Sequence, residues 1–155
     1  MKNLKKVIPV RHGDYDRNTG ALTEKGKAEI QELAEAICSL IGDLRPAVIF
    51  TSTRQRAKET TAIIEEKIVG TTRVECDFLT GDDFTDGDLA LESILKSITD
   101  DHQAVIIVTH FEAPSGVVHA FSNKKFTNPF RRKTIPTGTG FVLCMETGEI
   151  KQIPS

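Results

Sequence analysis

Short unbroken apolar runs alternate along this chain with longer stretches in which apolar residues recur every three or four positions. The runs KVIPV (6–10), AVIF (47–50), RVECDF (73–78), AVIIVT (104–109) and GFVLCM (140–145) predict strands. AVIIVT is continuous and β-branched, the pattern of a strand covered on both faces. From Thr23 to Ile41, residues Ile30, Leu33, Ala34, Ile37 and Ile41 share one helical face, and Thr23 stands at the N-cap position. Arg54 to Ile68 predicts a second helix, with Ala57, Thr60, Ile64 and Ile68 on one side. Leu89–Ile98 and Pro114–Phe121 predict shorter helices, the proline suiting a first turn. The stretch 122–138, SNKKFTNPFRRKTIPTG, has no period and reads as a long loop. Strand–helix alternation implies an α/β fold: a three-layer α/β/α sandwich with a mostly parallel central sheet.

Composition narrows the picture. A chain of 155 residues with no repeat, linker or low-complexity tract is expected to be a single domain spanning 1–155. It is 39% hydrophobic and 27% charged, the balance of a globular protein. A net charge of −2 gives no global attraction to nucleic acid or anionic lipid, so neither is an expected partner. Any anion site must come from a local cluster of cations. Cys38, Cys76 and Cys144 are scattered and form no CxxC, which argues against a disulfide framework or a zinc site. The start, MKNLKKVIPV, is too short in apolar residues for a signal peptide, and no stretch is long enough to span a membrane. A cytoplasmic location is the expectation.

The candidate chemistry gathers at strand ends. Arg11-His12-Gly13 follows the first strand and His110 follows the fourth. Arg56 lies in TSTRQRAKET, in the first turns of the helix after the second strand. Ligands of open α/β sheets bind at the carboxyl ends of strands. Two arginines and two histidines on that rim make a pocket for a doubly charged oxyanion, since guanidinium forks bind phosphate oxygens in pairs and helix N-termini add amide donors. Singly, a strand-end histidine is more often a capped surface or core residue than a catalyst, and an arginine early in a helix is usually solvated; the ordered combination carries the inference.

That combination resembles the histidine phosphatase superfamily, the phosphoglycerate mutase-like fold, and in size and order its small SixA-type phosphohistidine phosphatases. VRHGD matches the family's leading motif, LTEKG (22–26) its LTxxG, and VIIVTH the strand leading to its second histidine. TSTRQRAKETT matches SSPxxRAxxTA with Thr51 in place of the first serine and Thr53 in place of the proline. PTGTGFVL resembles the turn and strand near the family's C-terminus. The resemblance covers nearly the whole chain, and RHG and RA are its specific pieces.

The resemblance implies a phosphatase working through a phosphohistidine intermediate. His12 would be the nucleophile, attacking through a ring nitrogen with an unperturbed pKa of about 6.5. Arg11, Arg56 and His110 would hold the transferring phosphoryl group and offset its charge. Neither a metal nor another cofactor is required. Asn18 stands where some members place a phosphate-contacting asparagine, and reads equally as a polar loop residue. Thr23 could cap its helix and also offer its amide to phosphate. The general acid is open. Members that use a carboxylate carry it after the third strand, where this chain has FLTGDDFTDGD (78–88). Asp82 and Asp83 are candidates there, as is Glu112 beyond His110; the Asp run reads as well as a solvated loop. It is no EF-hand, because Phe84 falls on a ligand position and Ser93 where the bidentate Glu belongs.

A weak acid favours an easily departing group. Imidazole leaves with a pKa of about 6.5, whereas an alkoxide resembles hydroxide at ~15.7. The expected substrate is therefore a phosphorylated protein carrying phosphohistidine. A small phosphorylated metabolite, handled by a phosphomonoesterase or mutase-like enzyme, is the alternative, and a catalytically silent phosphate-binding protein a third. The basic residues Lys124, Lys125, Arg131, Arg132 and Lys133 read as a solvated loop or as a contact for an acidic phosphoprotein surface. Pro9 is unexpected in an interior strand and calls for a bulge or for less regular pairing.

Overall fold

The computed structural model describes residues 2–77, 93–94, 96–110, 114, 117–118, 121 and 135–154. Its elements run β1 (Lys6–Arg11), α1 (Glu24–Ile41), β2 (Ala47–Ser52), α2 (Gln55–Lys67), β3 (Thr71–Cys76), β4 (Ala104–Thr109), β5 (Gly140–Cys144) and β6 (Ile150–Ile153). They form one six-stranded sheet in the order β3-β2-β4-β1-β5-β6. β1 to β4 are parallel and β5 and β6 antiparallel, so the sheet is mostly parallel as expected.

The two-residue period of a strand explains the unbroken apolar runs. Ile8, Val10, Ile49, Ile106 and Val108 point to one face, where α1 and α2 bury Ile30, Leu33, Ile37, Ala57 and Ile64 against them. Val7, Val48, Phe50, Val105 and Ile107 point to the other, against Ile94, Ile98, Val117 and Phe121. Every residue of β2 and β4 is buried. The expected three layers are present. Among the described residues no helix is long and apolar enough to cross a membrane.

Thr23 caps α1 as expected, its hydroxyl accepting from the Gly26 amide at 3.0 Å. The third strand lies two residues upstream of its expected start, at Thr71, and ends at Cys76. The fifth ends one residue early, at Cys144, and β6 was not anticipated. Of the two shorter helices, residues 93, 94, 96 and 97 and residues 114, 117, 118 and 121 are helical, while Ile98, the expected last residue of the first, is not; the remainder, and 122–134 of the expected loop, lie outside the described residues.

Pro9 sits in an interior strand without a bulge. Its parallel ladder is continuous, from Lys6 opposite Ala104 to Arg11 opposite Thr109. On the other side Lys6, Val7 and Val10 face Cys144, Leu143 and Gly140, one constant register with no inserted residue and no pair at 8 and 9. The Arg11 amide donates to Thr139 O (2.8 Å) and Lys5 O accepts from the Met145 amide (2.8 Å). Odd residues of β1 therefore direct their backbone toward β5, and the missing N–H of Pro9 falls on that looser ladder. Gly140 permits the approach: a Cβ there would lie 2.4 Å from Pro9 O.

Candidate functional site

The parallel register brings the carboxyl ends of β1, β2 and β4 level. His12 follows β1 and is fastened through its backbone, its amide donating to Thr109 O (3.1 Å) and its carbonyl accepting from the Gly138 amide (2.9 Å). The Gly13 amide donates to Thr60 Oγ1 at 3.1 Å, tying the turn to α2. Gly13 has no room for a side chain, since a Cβ would sit 2.8 Å from Gly26 O and 2.9 Å from Ile30 Cγ1. A Cβ on Gly26 would sit 2.0 Å from Asp14 O. The glycines of RHG and LTEKG thus mark one close crossing of α1 over the turn that follows β1.

His12 is 1% exposed. Its Nδ1 lies 2.8 Å from Gly13 O, a carbonyl that can only accept, so the ring proton sits on Nδ1 and Nε2 keeps its lone pair. Arg56 Nε donates to that Nε2 at 3.2 Å. The His110 ring lies 5.0 Å from the His12 ring, centroid to centroid. His110 Nε2 is 2.7 Å from Ser52 Oγ, and its buried Nδ1 has no hydrogen-bond partner among the described residues. Arg11, half-buried, donates from Nη1 to Ile135 O at 2.6 Å.

Burial sets the charge of both imidazoles. It is the main cause that brings His12 down to about 4; Arg56 and Arg11 push the same way, while the Gly13 carbonyl and Asp14 oppose. His110 falls to about 3, again chiefly by burial, then through His12, Arg56, Arg54 and Arg11. Both rings are neutral at pH 7. The unperturbed value used in the sequence reading of His12 is corrected by this desolvation. Arg11 is also lowered by burial, opposed by Tyr15 and Glu29. Two neutral imidazoles amid guanidinium groups, one offering a lone pair, can bind a phosphoryl dianion and attack it.

The structure thus brings His12, Arg56 and His110 together, with the charge of Arg11 acting on both rings. Asn18 is exposed, in a turn where its amide donates to Asp16 Oδ1 at 2.7 Å. Thr23 departs from expectation: its amide donates to Asp14 O (3.0 Å) and its hydroxyl to Asp14 Oδ2 (2.7 Å), so that amide holds the loop rather than facing an anion. Asp82, Asp83 and Glu112 lie outside the described residues.

Two site residues escaped the sequence reading. The Tyr15 ring carries the Arg56 guanidinium at 4.3 Å from its centroid and meets the His12 ring edge-on at 5.3 Å. Ser52 ends β2 and holds His110. A tyrosine three residues past His12, or a serine at a strand end, carries no chemical signature until its neighbours are known.

Residues 7–80 match the model of the histidine phosphatase superfamily (branch 1). This bears out the resemblance read from VRHGD, LTEKG and TSTRQRAKETT, all of which lie inside the match. A SixA protein from Agrobacterium tumefaciens, assigned as a phosphohistidine phosphatase, superposes with a TM-score of 0.69 at 20% identity over 97% of this chain and 99% of its own. The protein histidine phosphatase SixA complexed with tungstate gives 0.59 at 18% identity, over 95% and 93%. Phosphoglycerate mutase from Plasmodium falciparum gives 0.65 at 19% identity, over 97% and 89%. The phosphoglycerate mutase-like fold is therefore this chain's fold. Comparison with curated proteins finds no match.

Proposed function

We propose that this protein is a phosphatase that forms a phosphohistidine on His12 Nε2 and acts on protein phosphohistidine. The observation that carries the reading is the neutral His12 with its Nε2 lone pair turned toward Arg56, 5.0 Å from a second neutral imidazole. On binding, Arg56 transfers its hydrogen bond from His12 Nε2 to a phosphoryl oxygen, which frees the lone pair. Nε2 forms the new N–P bond in line as the substrate's N–P bond breaks. A substrate ring protonated on its other nitrogen departs as neutral imidazole, so no protein acid is needed. The phosphorylated His12 keeps its Nδ1–H on Gly13 O. Water then attacks phosphorus, inorganic phosphate leaves with the water's proton passing to solvent, and His12 returns neutral. The arginines and His110 supply the charge and donors that a loose phosphoryl transition state requires.

The choice of substrate rests on the acid. The candidate acids Asp82, Asp83 and Glu112 lie outside the described residues, and the reading is supported by leaving-group chemistry: an imidazole departs without a strong protein acid, whereas an alkoxide needs one. The test compares a phosphohistidine protein with alkyl phosphates on the wild type, Asp82→Asn and Glu112→Gln. Phosphohistidine should turn over well and alkyl phosphates poorly, with both variants near wild type. Fast alkyl-phosphate hydrolysis that either variant slows by about 10²–10⁴ would replace this reading with a small-metabolite phosphatase. His12→Ala should abolish turnover, and radiolabel trapped on that variant would exclude His12 as nucleophile.

A further inference from the structure

Ser52 is 0% exposed, and its hydroxyl has two neighbours: the Arg54 amide, which donates to Oγ at 3.3 Å, and His110 Nε2 at 2.7 Å. A hydroxyl has one proton to give and lone pairs to receive. If His110 carried its proton on Nε2, Ser52 would receive from both sides and its own proton would have no acceptor among the described residues. A buried donor left in that state is costly. If instead Ser52 donates to Nε2, every group in the cluster is matched except His110 Nδ1–H, which is buried with no partner among the described residues.

We propose that Ser52 is a positioning residue that locks His110 in its Nδ1–H tautomer, so that this imidazole meets a bound phosphoryl oxygen as a donor. The proposal rests on the phosphatase reading for its ligand and on Ser52 for its geometry. Both histidines then carry the same tautomer and do opposite things. His12 spends its Nδ1–H on Gly13 O and turns a lone pair to the ligand, whereas His110 spends its Nε2 lone pair on Ser52 and keeps an N–H. The position of that proton matters because burial keeps His110 neutral, with His12, Arg56, Arg54 and Arg11 adding to the opposition against a second proton. A lone pair in its place would repel the phosphoryl oxygen.

The test is long-range ¹⁵N–¹H correlation spectroscopy of the labelled full chain at neutral pH, the four histidines separated by comparison with His110→Gln. His110 should show a protonated Nδ1 and an unprotonated Nε2, and saturating inorganic phosphate should shift the Nδ1–H resonance. Ser52→Ala should release the ring into mixed tautomers and lower kcat/KM at least tenfold, toward the 10²–10³-fold typical of losing one donor. Ser52→Thr, which keeps the hydroxyl, should restore both. A wild-type His110 protonated on Nε2, or a tautomer unmoved in Ser52→Ala, overturns the proposal. The wild-type spectrum decides it even if Ser52→Ala fails to fold. Because that spectrum needs no turnover, failure on phosphohistidine substrates would sink the functional reading and leave this result standing.

Discussion

Mild acid should weaken this fold through its two buried histidines. In the unfolded chain each ring takes a proton near its usual 6.5; in the folded protein His12 resists to about 4 and His110 to about 3. Between those limits the unfolded state binds more protons than the native one, so stability is full above about 6.5 and drains away as pH falls. Each pH unit costs about 1.4 kcal/mol per ring. From pH 6.5 to 4.5, with the unfolded ring only half protonated at the upper end, that comes to roughly 2 kcal/mol for each histidine and roughly 4–5 for the pair, against the about 5–15 kcal/mol of a typical domain. Ordinary carboxylates, at about 3.9–4.3, titrate mostly below this window. Asp100 and Glu146, each lowered first by a side-chain hydrogen bond, titrate lower still. The assay is urea unfolding at pH 7, 5.5 and 4.5 without phosphate, on the wild type and His12→Gln. The variant should lose roughly half as much stability as the wild type over the window. A wild-type midpoint that does not move between pH 6.5 and 4.5, or an undiminished loss in the variant, would refute the assignment of buried neutral rings.

Gly26→Ala should destabilise the protein by about 3 kcal/mol in chemical denaturation, the upper end of the overpacking range, because the added carbon meets the Asp14 backbone at 2.0 Å with no flexible group to yield; a change under about 0.5 kcal/mol would show that α1 can lift off the loop. Tyr15→Leu should raise the dissociation constant for inorganic phosphate by about 2–30-fold, since a cation–π contact of about 0.5–2 kcal/mol no longer holds Arg56 in place. Tyr15→Phe should bind as the wild type does, and equal loss in both variants would assign the effect to the hydroxyl instead.

The parts legible in the sequence are those whose physics is local. A strand buried on both faces is a near-continuous apolar, β-branched run, so AVIIVT could be bounded to the residue. A helix lying on a sheet repeats its apolar face every three or four residues, and a threonine before it can cap it, which placed α1 and Thr23. Rim placement followed from parallel strands sharing one carboxyl edge. Strand β6, with the sequence IKQI, is too short to carry a period, and its pairing with β5 is made by the sheet. The tolerance of Pro9 likewise depends on which ladder its missing N–H faces, and that is set by the neighbour across from it.

The chemical state of the site was decided by tertiary structure alone. His12 meets Arg56 across 44 residues and His110 meets Ser52 across 58. The depth at which those pairs are buried, rather than the residue type, removes the protons from both rings. Residue types name the groups that can carry charge and accept or donate protons. Which nitrogen holds a proton, and which faces the ligand, depends on desolvation and on the one or two atoms within about 3 Å, and the folded chain assembles those from distant segments.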